Sequence, residues 1–275
     1  MKLNSGIKQP RPWTMIALLV AVVCCMFLLK KCSRPVAAVP DKFPAKSGGD
    51  TIDVAIEISP LAYSLSRDTI SGLDYDILRD LARIHGRVVK FHPFVPLEYA
   101  IQGLEQGNFD VVVSSLPSTR RLKQELPLTD VVYTDREVLV QRRDDPRFVK
   151  SAEMLAGDTV WIAAGSPIRE RIINLSKEIG DTIIINEVPE TTAEIIILRT
   201  AIGELPRVVV NEGIARALAT QYPELDVDTP VSFSQFQSWA VSPLHPEMRD
   251  TLNSWLKDYR ATASYERLTK AYLNR

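Results

Sequence analysis

The chain has 275 residues, 45% of them hydrophobic and 24% charged, enough for one large domain or for two lobes with cores of their own. Its net charge of −1 excludes a global field that would draw nucleic acid or acidic membranes. All three cysteines (Cys24, Cys25 and Cys32) lie in or beside an N-terminal apolar segment, so neither a disulfide nor thiolate chemistry is expected in the remainder.

Residues 1–12 form a short tail. Residues 13–29, WTMIALLVAVVCCMFLL, carry no charge and as a helix would span about 25 Å, just short of a ~30 Å hydrocarbon core. Lys2, Lys8 and Arg11 precede this run, and Lys30, Lys31 and Arg34 follow it, so flanking charge gives little orientation. The run reads as a transmembrane signal anchor, with a lipoprotein or a cleaved signal as alternatives. Val36-Ala37-Ala38 offers a small-x-small site beyond the lysines, whereas Cys24 follows Val23 and Cys32 follows Lys31, which suits lipidation poorly. Residues 30–50 contain Pro35, Pro40, Pro44, Gly48 and Gly49 and read as a tether.

From residue 51 the pattern alternates. A strand at 51–57 is followed by a loop at 59–71 that contains Pro60 and Tyr63. The spacing of Leu73, Ile77, Leu81 and Ile84 predicts a helix over 72–86, stopped by Gly86. A strand at 88–92, a helix at 97–106 and a strand at 109–113 complete a βαβαβ series, which implies a parallel sheet with right-handed crossovers. The last strand, Val111-Val112-Val113, has the look of a fully buried parallel strand. It breaks at Ser114-Ser115 into a polar turn that carries Arg120 and Arg121. Hydroxyls, amides and guanidinium groups at a strand end suit a small anionic group; an ordinary charged surface loop is the plain alternative.

A second series follows a strand at 138–142. It has a strand at 159–163, a helix from the turn Gly165-Ser166-Pro167 to about residue 179, and a strand at 182–187. Next come a helix at 191–202, a strand at 207–210 and a helix at 212–221. Ser166 is the expected cap of the first helix, and Thr191-x-x-Glu194 fits a capping box for the second. A strand at 238–242 and helices at 246–259 and 265–273 close the chain. Two series of one kind imply two α/β lobes, each a mostly parallel sheet flanked by helices: residues 51–137 with 238–275, and residues 138–237.

Motifs along residues 50–275 give this arrangement a family likeness. SGLDYDILRDLARIHG places Gly72, Asp74 and Asp76 as in a G-F-D-x-D-L helix start. LEQGNFDVVVSSL places Leu104, Gly107 and Asp110 as in an L-x-x-G-x-x-D strand entry. Ser114-Ser115-Leu116-x-x-Thr119, Leu128-Thr129-Asp130 with Tyr133, Gly165-Ser166, VVVNEGIA (208–215) and SWAVSPLHPEMRDTLNSWLKDY follow in matching order. The chain resembles the type 2 periplasmic solute-binding proteins of the polar amino-acid branch. TTAEIIILRTAIGELPRVVVNEGIA and VSFSQFQSWAV are similar to the non-catalytic N-terminal domain of the membrane-bound lytic transglycosylase F family. In that family a goose-lysozyme-like domain follows. No Glu-Ser helix start with a Gly-Leu-x-Gln turn is present before Arg275, so the catalytic domain is expected to be absent.

The resemblance implies a two-lobe periplasmic-binding-protein type 2 fold behind an N-terminal transmembrane helix, with the soluble part in the periplasm. It implies a small amino-acid-like or cell-wall peptide ligand held between the lobes, for sensing, regulation or transport. Candidate ligand-binding residues are Tyr63 as a covering aromatic, Ser114 and Ser115, Arg120 or Arg121 for a carboxylate, Ser166, Asn211 and Glu212. The family's arginine position falls on Leu122, one residue past Arg121. Pro117 and Pro167 stand where hydroxyls are expected, and Asn211 stands where an ammonium-binding Asp is expected. These departures argue against a free amino acid held in the usual way. They fit a peptide, a cell-wall fragment or a cleft without its ligand. Glu212 also has a plain role, compensating a helix N-terminus.

No catalytic activity is expected. The alternatives are a regulatory or structural partner of a cell-wall enzyme, and a dehydratase-like enzyme using an acid such as Glu57 or Glu212. A separate cell-wall enzyme or a transporter is a possible partner; nucleic acid is not. His85, His92 and His245 lack metal-ligand spacing, and no P-loop, G-x-S-x-G or G-x-G-x-x-G occurs, so neither metal nor cofactor is expected. Trp161, Trp239 and Trp255 read as core or hinge packing, and residues 142–145 as a solvated turn.

Overall fold

The computed structural model describes residues 43–273 apart from Arg67 and Val95. The expected tail, the signal anchor and the tether up to residue 42 lie outside the described residues. Within them, no helix is long and apolar enough to cross a membrane.

Strand β1 (Thr51–Glu57) is buried from Ile52 to Ile56, on both faces, as the middle of a parallel sheet requires. It pairs in parallel with β4 (Val88–Phe94) on one side and β5 (Val111–Pro117) on the other. The crossovers run through α1 (Leu73–Ile84) and α2 (Leu97–Glu105). α1 turns its apolar stripe inward at Leu73, Ile77, Leu78 and Leu81. Gly72, just before it, has φ 150°, and a Cβ there would collide with the Ala62 carbonyl oxygen. The loop expected at 59–71 contains a small hairpin, β2 (Ser64–Ser66) with β3 (Thr69–Ser71). The strand expected to break at Ser114-Ser115 instead runs on to Pro117, and the turn beyond it holds a six-residue helix, α3 (Arg120–Glu125), which Thr119 caps by accepting the Leu122 amide at 3.2 Å.

The first sheet is completed by β6 (Tyr133–Asp135) and β12 (Gln235–Val241), in the order β4-β1-β5-β12-β6. β12 starts at Gln235, earlier than its apolar run suggests, because Gln235–Gln237 pair with β6. The second sheet has the order β11-β7-β10-β8-β9 and comprises β7 (Glu137–Arg142), β8 (Thr159–Ala163), β9 (Ile184–Val188), β10 (Arg207–Asn211) and β11 (Leu225–Pro230). Each sheet has one reversed strand: β12 in the first and β7 in the second. The chain passes between the sheets at Arg136 and again through residues 231–234.

The second sheet is flanked by α4 (Ile168–Ile179), α5 (Ala193–Ala201) and α6 (Glu212–Ala219). Thr192, not Thr191, caps α5, accepting the Ile195 amide at 3.3 Å. Pro167 holds the cap position of α4, while the Ser166 hydroxyl accepts the Ile168 amide at 3.3 Å. α7 (Glu247–Arg260) and α8 (Ala263–Leu273) return to the first lobe, where the Tyr272 hydroxyl donates to Asp76 at 2.8 Å. Trp239 is almost fully buried; Trp161 and Trp255 pack at the core margin, Trp255 stacked on His85 at 4.3 Å. The largest apolar cluster runs from Val54 and Ile56 in the first lobe to Val138 and Val210 in the second.

The last residues of the expected tether are packed against the first lobe. Phe43 stacks on Tyr99 with ring centres 4.5 Å apart, Lys46 pairs with Asp110 at 2.7 Å, and the Ser47 amide donates to Asp53 at 2.7 Å.

Candidate ligand cleft

In parallel sheets, loops at the carboxyl ends of strands frame the natural crevice. Here β1 and β5 of the first lobe and β8 and β10 of the second frame one small cavity of about 50 Å³ that is open to solvent. The first lobe contributes Glu57, Ser114 and Ser115. The second contributes Ser166, Thr191, Thr192 and Asn211. Apolar surface comes from Leu97 on α2 and from Ile168 and Ile196 opposite.

Glu57 sets the electrostatics. It ends an otherwise apolar strand, so its carboxyl is carried to the sheet edge with little water around it. Burial pushes the carboxyl above its ordinary value; the Ser114 hydroxyl at 2.7 Å and the Ser115 amide at 3.3 Å pull part of the way back. Next to the lining residues Leu97 and Ser166, Glu98 of α2 lies against Gly165, whose φ is 72°; a Cβ there would collide with the Glu98 carboxylate. The two lobes touch at this point.

Of the residues singled out from sequence, Ser114, Ser115, Ser166 and Asn211 are brought together on this cavity. The other four lie elsewhere. Tyr63 packs edge-on against Tyr75, with ring centres 5.6 Å apart, in a cluster with Phe91. Arg120 and Arg121 lie on the exposed side of α3; Arg121 donates to Glu125 at 2.9 Å and reaches Glu170 of α4 at 4.0 Å. Leu122, the next residue, packs into the apolar cluster of Leu116 and Leu126. Glu212 is engaged at the crossover between lobes. It accepts Arg136 Nε–H and Nη2–H, at 2.6 and 2.8 Å, and Arg216 Nε–H at 2.8 Å. Burial alone would raise its carboxyl, but the two guanidinium groups hold it below the ordinary value.

Sequence reasoning assigns Thr191 to a helix cap and gives Glu57 no ligand role. The signal for Glu57 is present: an apolar strand, TIDVAIE, ends in an acid level with Ser114 on its neighbour. Two further buried acids outside the cavity lining have raised pKa values. Asp74 is pushed to about 7 by burial and the nearby Glu57, against the pull of its Trp239 hydrogen bond. Asp135 is also pushed to about 7, chiefly by burial, although the Arg136 and Gly213 amides donate to it.

Two α/β lobes, each with one reversed strand, joined by two crossings and meeting over a polar cavity at the strand ends, define a two-lobe periplasmic binding protein of the type 2 class. Residues 51–275 match the profile of the bacterial extracellular solute-binding proteins, family 3, and the chain belongs to that family. Among curated relatives, it is 23% identical over 228 residues to a membrane-bound lytic murein transglycosylase F of Desulfosudis oleivorans, covering 80% of this chain and 48% of the relative. It is 26% identical over 169 residues to the arginine-binding extracellular protein ArtP of Bacillus subtilis, covering 59% of this chain and 61% of the relative. The chain therefore spans less than two thirds of the length of either relative, and about half of the transglycosylase. Among solved structures, a mutant of the arginine-binding protein ArgBP from T. maritima superposes with a TM-score of 0.69 at 23% identity, covering 82% of this chain and 96% of that one. At that identity the likeness concerns the fold.

Proposed function

We propose that the chain is a membrane-anchored, periplasm-facing binding module that holds a small amino-acid-like or cell-wall peptide ligand between its lobes, without turning it over. The observation that carries this is the cavity itself. Glu57, Ser114 and Ser115 on one lobe face Thr191, Thr192 and Asn211 on the other, so a ligand bridging them would favour the closed arrangement over an open one. The names of relatives and structural neighbours support both halves of the reading: arginine binding in ArtP and ArgBP, and cell-wall chemistry in the transglycosylases. The uncharged run at 13–29 supports anchoring, and a partner enzyme of the cell wall would then be the recipient of the signal.

The test is a thermal-unfolding screen of the full chain in detergent against amino acids and soluble cell-wall peptides. A ligand at one hundred times its Kd adds about 2.7 kcal/mol, a clear shift for a domain of this size. A saturable shift that Ser114→Ala weakens is the expected result. Absence of any shift across both ligand classes would overturn the reading.

A further inference from the structure

We propose that the cleft continues into a second subsite, between the end of β5 and α4, that takes a neutral sugar ring laid on Phe236. This rests on the proposed function as a binding module and names a chemistry for the outer part of its ligand.

The inner cavity, at about 50 Å³, is well below the ~300 Å³ at which small-molecule sites begin, and has room only for the tip of a ligand. Beside it lies an open groove of about 430 Å³. The two share Pro167 and follow one strand: Ser114 and Ser115 line the first, Pro117 and Ser118 the second. Both lobes wall the groove, with Phe236 of β12 in the first and Asn174 of α4 in the second. A ligand with its tip in the cavity therefore has the groove as its way out.

The charged side chains of the groove are already engaged. Arg171 donates Nη1–H and Nη2–H to Glu178, at 2.7 and 2.9 Å, and Nε–H to the Val231 carbonyl at 2.9 Å. Glu137 is 2% exposed and accepts the Gln235 side-chain amide at 2.7 Å. Glu170 has Arg121 of α3 at 4.0 Å. The groups left over are neutral. Ser118, Asn174 and Ser234 make no side-chain hydrogen bond among the described residues, and Gln235 keeps its Oε1 as an acceptor. Together they both donate and accept.

An extended peptide docks most simply by adding to a strand edge, but the backbone here is committed. β12 is paired on both sides, with β5 and with β6. The Ser118 amide donates to the Phe236 carbonyl and the Thr119 amide to the Pro117 carbonyl, each at 2.7 Å. What the groove does present is a phenyl ring: Phe236 is 61% exposed, while the next residue along the strand, Gln237, is buried. A sugar ring matches this set. The C–H groups of one face meet the electron-rich face of the phenyl ring, and the hydroxyls around the rim pair with amides and hydroxyls.

The experiment uses the full chain in a detergent without a sugar headgroup. The probes are methyl β-D-glucopyranoside, methyl N-acetyl-β-D-glucosaminide and N-acetyl-trialanine amide, with contacts and affinity read by saturation-transfer NMR. At least one glycoside is expected to bind, with the C–H protons of one ring face saturated most strongly. Phe236→Ala is expected to weaken it about tenfold, the loss of one aromatic contact, and Asn174→Ala to weaken it less. Phe233→Ala, which removes a ring 87% exposed and outside the groove lining, is expected to leave the affinity unchanged. Neither glycoside binding, or glycoside affinity unchanged in Phe236→Ala, overturns the proposal. So does a peptide probe that binds through Phe236 while the glycosides do not. Glycosides that fail while amino acids or cell-wall peptides still shift unfolding bring down the subsite alone. Glycosides that bind as expected, with no shift from any amino acid or peptide, uphold the subsite and remove the ligand class of the proposed function.

Discussion

Replacing Asp74 by Asn removes a carboxyl that the fold holds near neutrality. Asp74 lies in the first turn of α1 and is 1% exposed. Its Oδ1 accepts the indole N–H of Trp239 at 2.7 Å, and its enclosed Oδ2 has no hydrogen-bond partner among the described residues. Burial is the main cause of the rise from 3.8 to about 7. At about 1.4 kcal/mol per pKa unit, ionising Asp74 costs the folded chain about 4 kcal/mol more than the unfolded one. The folded state binds this proton more tightly, so the stabilising contribution is complete at low pH. It is lost as pH rises from the unfolded value toward 7. Asn offers the same acceptor to Trp239 and cannot ionise. Urea unfolding of Asp74→Asn and the parent at pH 5 and pH 8 reads the effect. The parent is expected to lose about 3 kcal/mol more than the variant between these pH values, since most of the titration falls inside that window. Asp135 titrates in both proteins and cancels in the difference. Parallel pH dependence of the two, within about 0.5 kcal/mol, would refute the reasoning, because a buried carboxyl at this position would then carry no linkage.

Three further predictions concern the frame of the cleft. Gly72→Ala is expected to destabilise by about 2–3 kcal/mol, since φ 150° is strained for alanine and its Cβ meets the Ala62 carbonyl; urea unfolding measures it, and a loss below ~0.5 kcal/mol would count against backbone strain at this position. Glu212→Ala is expected to cost about 1–2 kcal/mol by leaving Arg136 and Arg216 without their shared carboxylate, read as a lowered Tm. Phe43→Ala removes the ring stacked on Tyr99 and is expected to cost about 1–2 kcal/mol; trypsin cleavage after Lys46 should quicken, and an unchanged digestion rate would show that the segment is not held there.

Much of the fold is legible because its elements are long and periodic. The βαβαβ order, the buried run Val111–Val113 and the stripe on α1 each repeat a signal several times within one element. β6 and β11 are not legible. Tyr133–Asp135 is three residues long and is a strand only because Gln235–Gln237 lie beside it. The hairpin at residues 64–71 and the short helix α3 escape for the same reason: each is too brief for a period to form. At the cleft, the polar pair Ser114-Ser115 can be placed on the central strand from sequence, but not as its end: β5 runs on to Pro117 because Leu116 and Pro117 pair with β12. Side-chain direction cannot be placed either. Arg120, Arg121 and Leu122 are successive on a helical turn, and which of them faces inward depends on where α3 begins, which the Thr119 cap decides.

By itself, then, the sequence determined the two α/β lobes and the polar residues of their central strands, because hydrophobic periodicity and the polar breaks in it are local properties of the chain. The tertiary structure decided which charges meet. Glu57 faces the cavity because β1 and β5 are adjacent, Glu212 is taken by Arg136 across 76 residues, and Arg121 of α3 is exposed and paired with Glu125. Charge at a site depends on neighbours distant in sequence and on water excluded by packing, and neither is written in any local pattern.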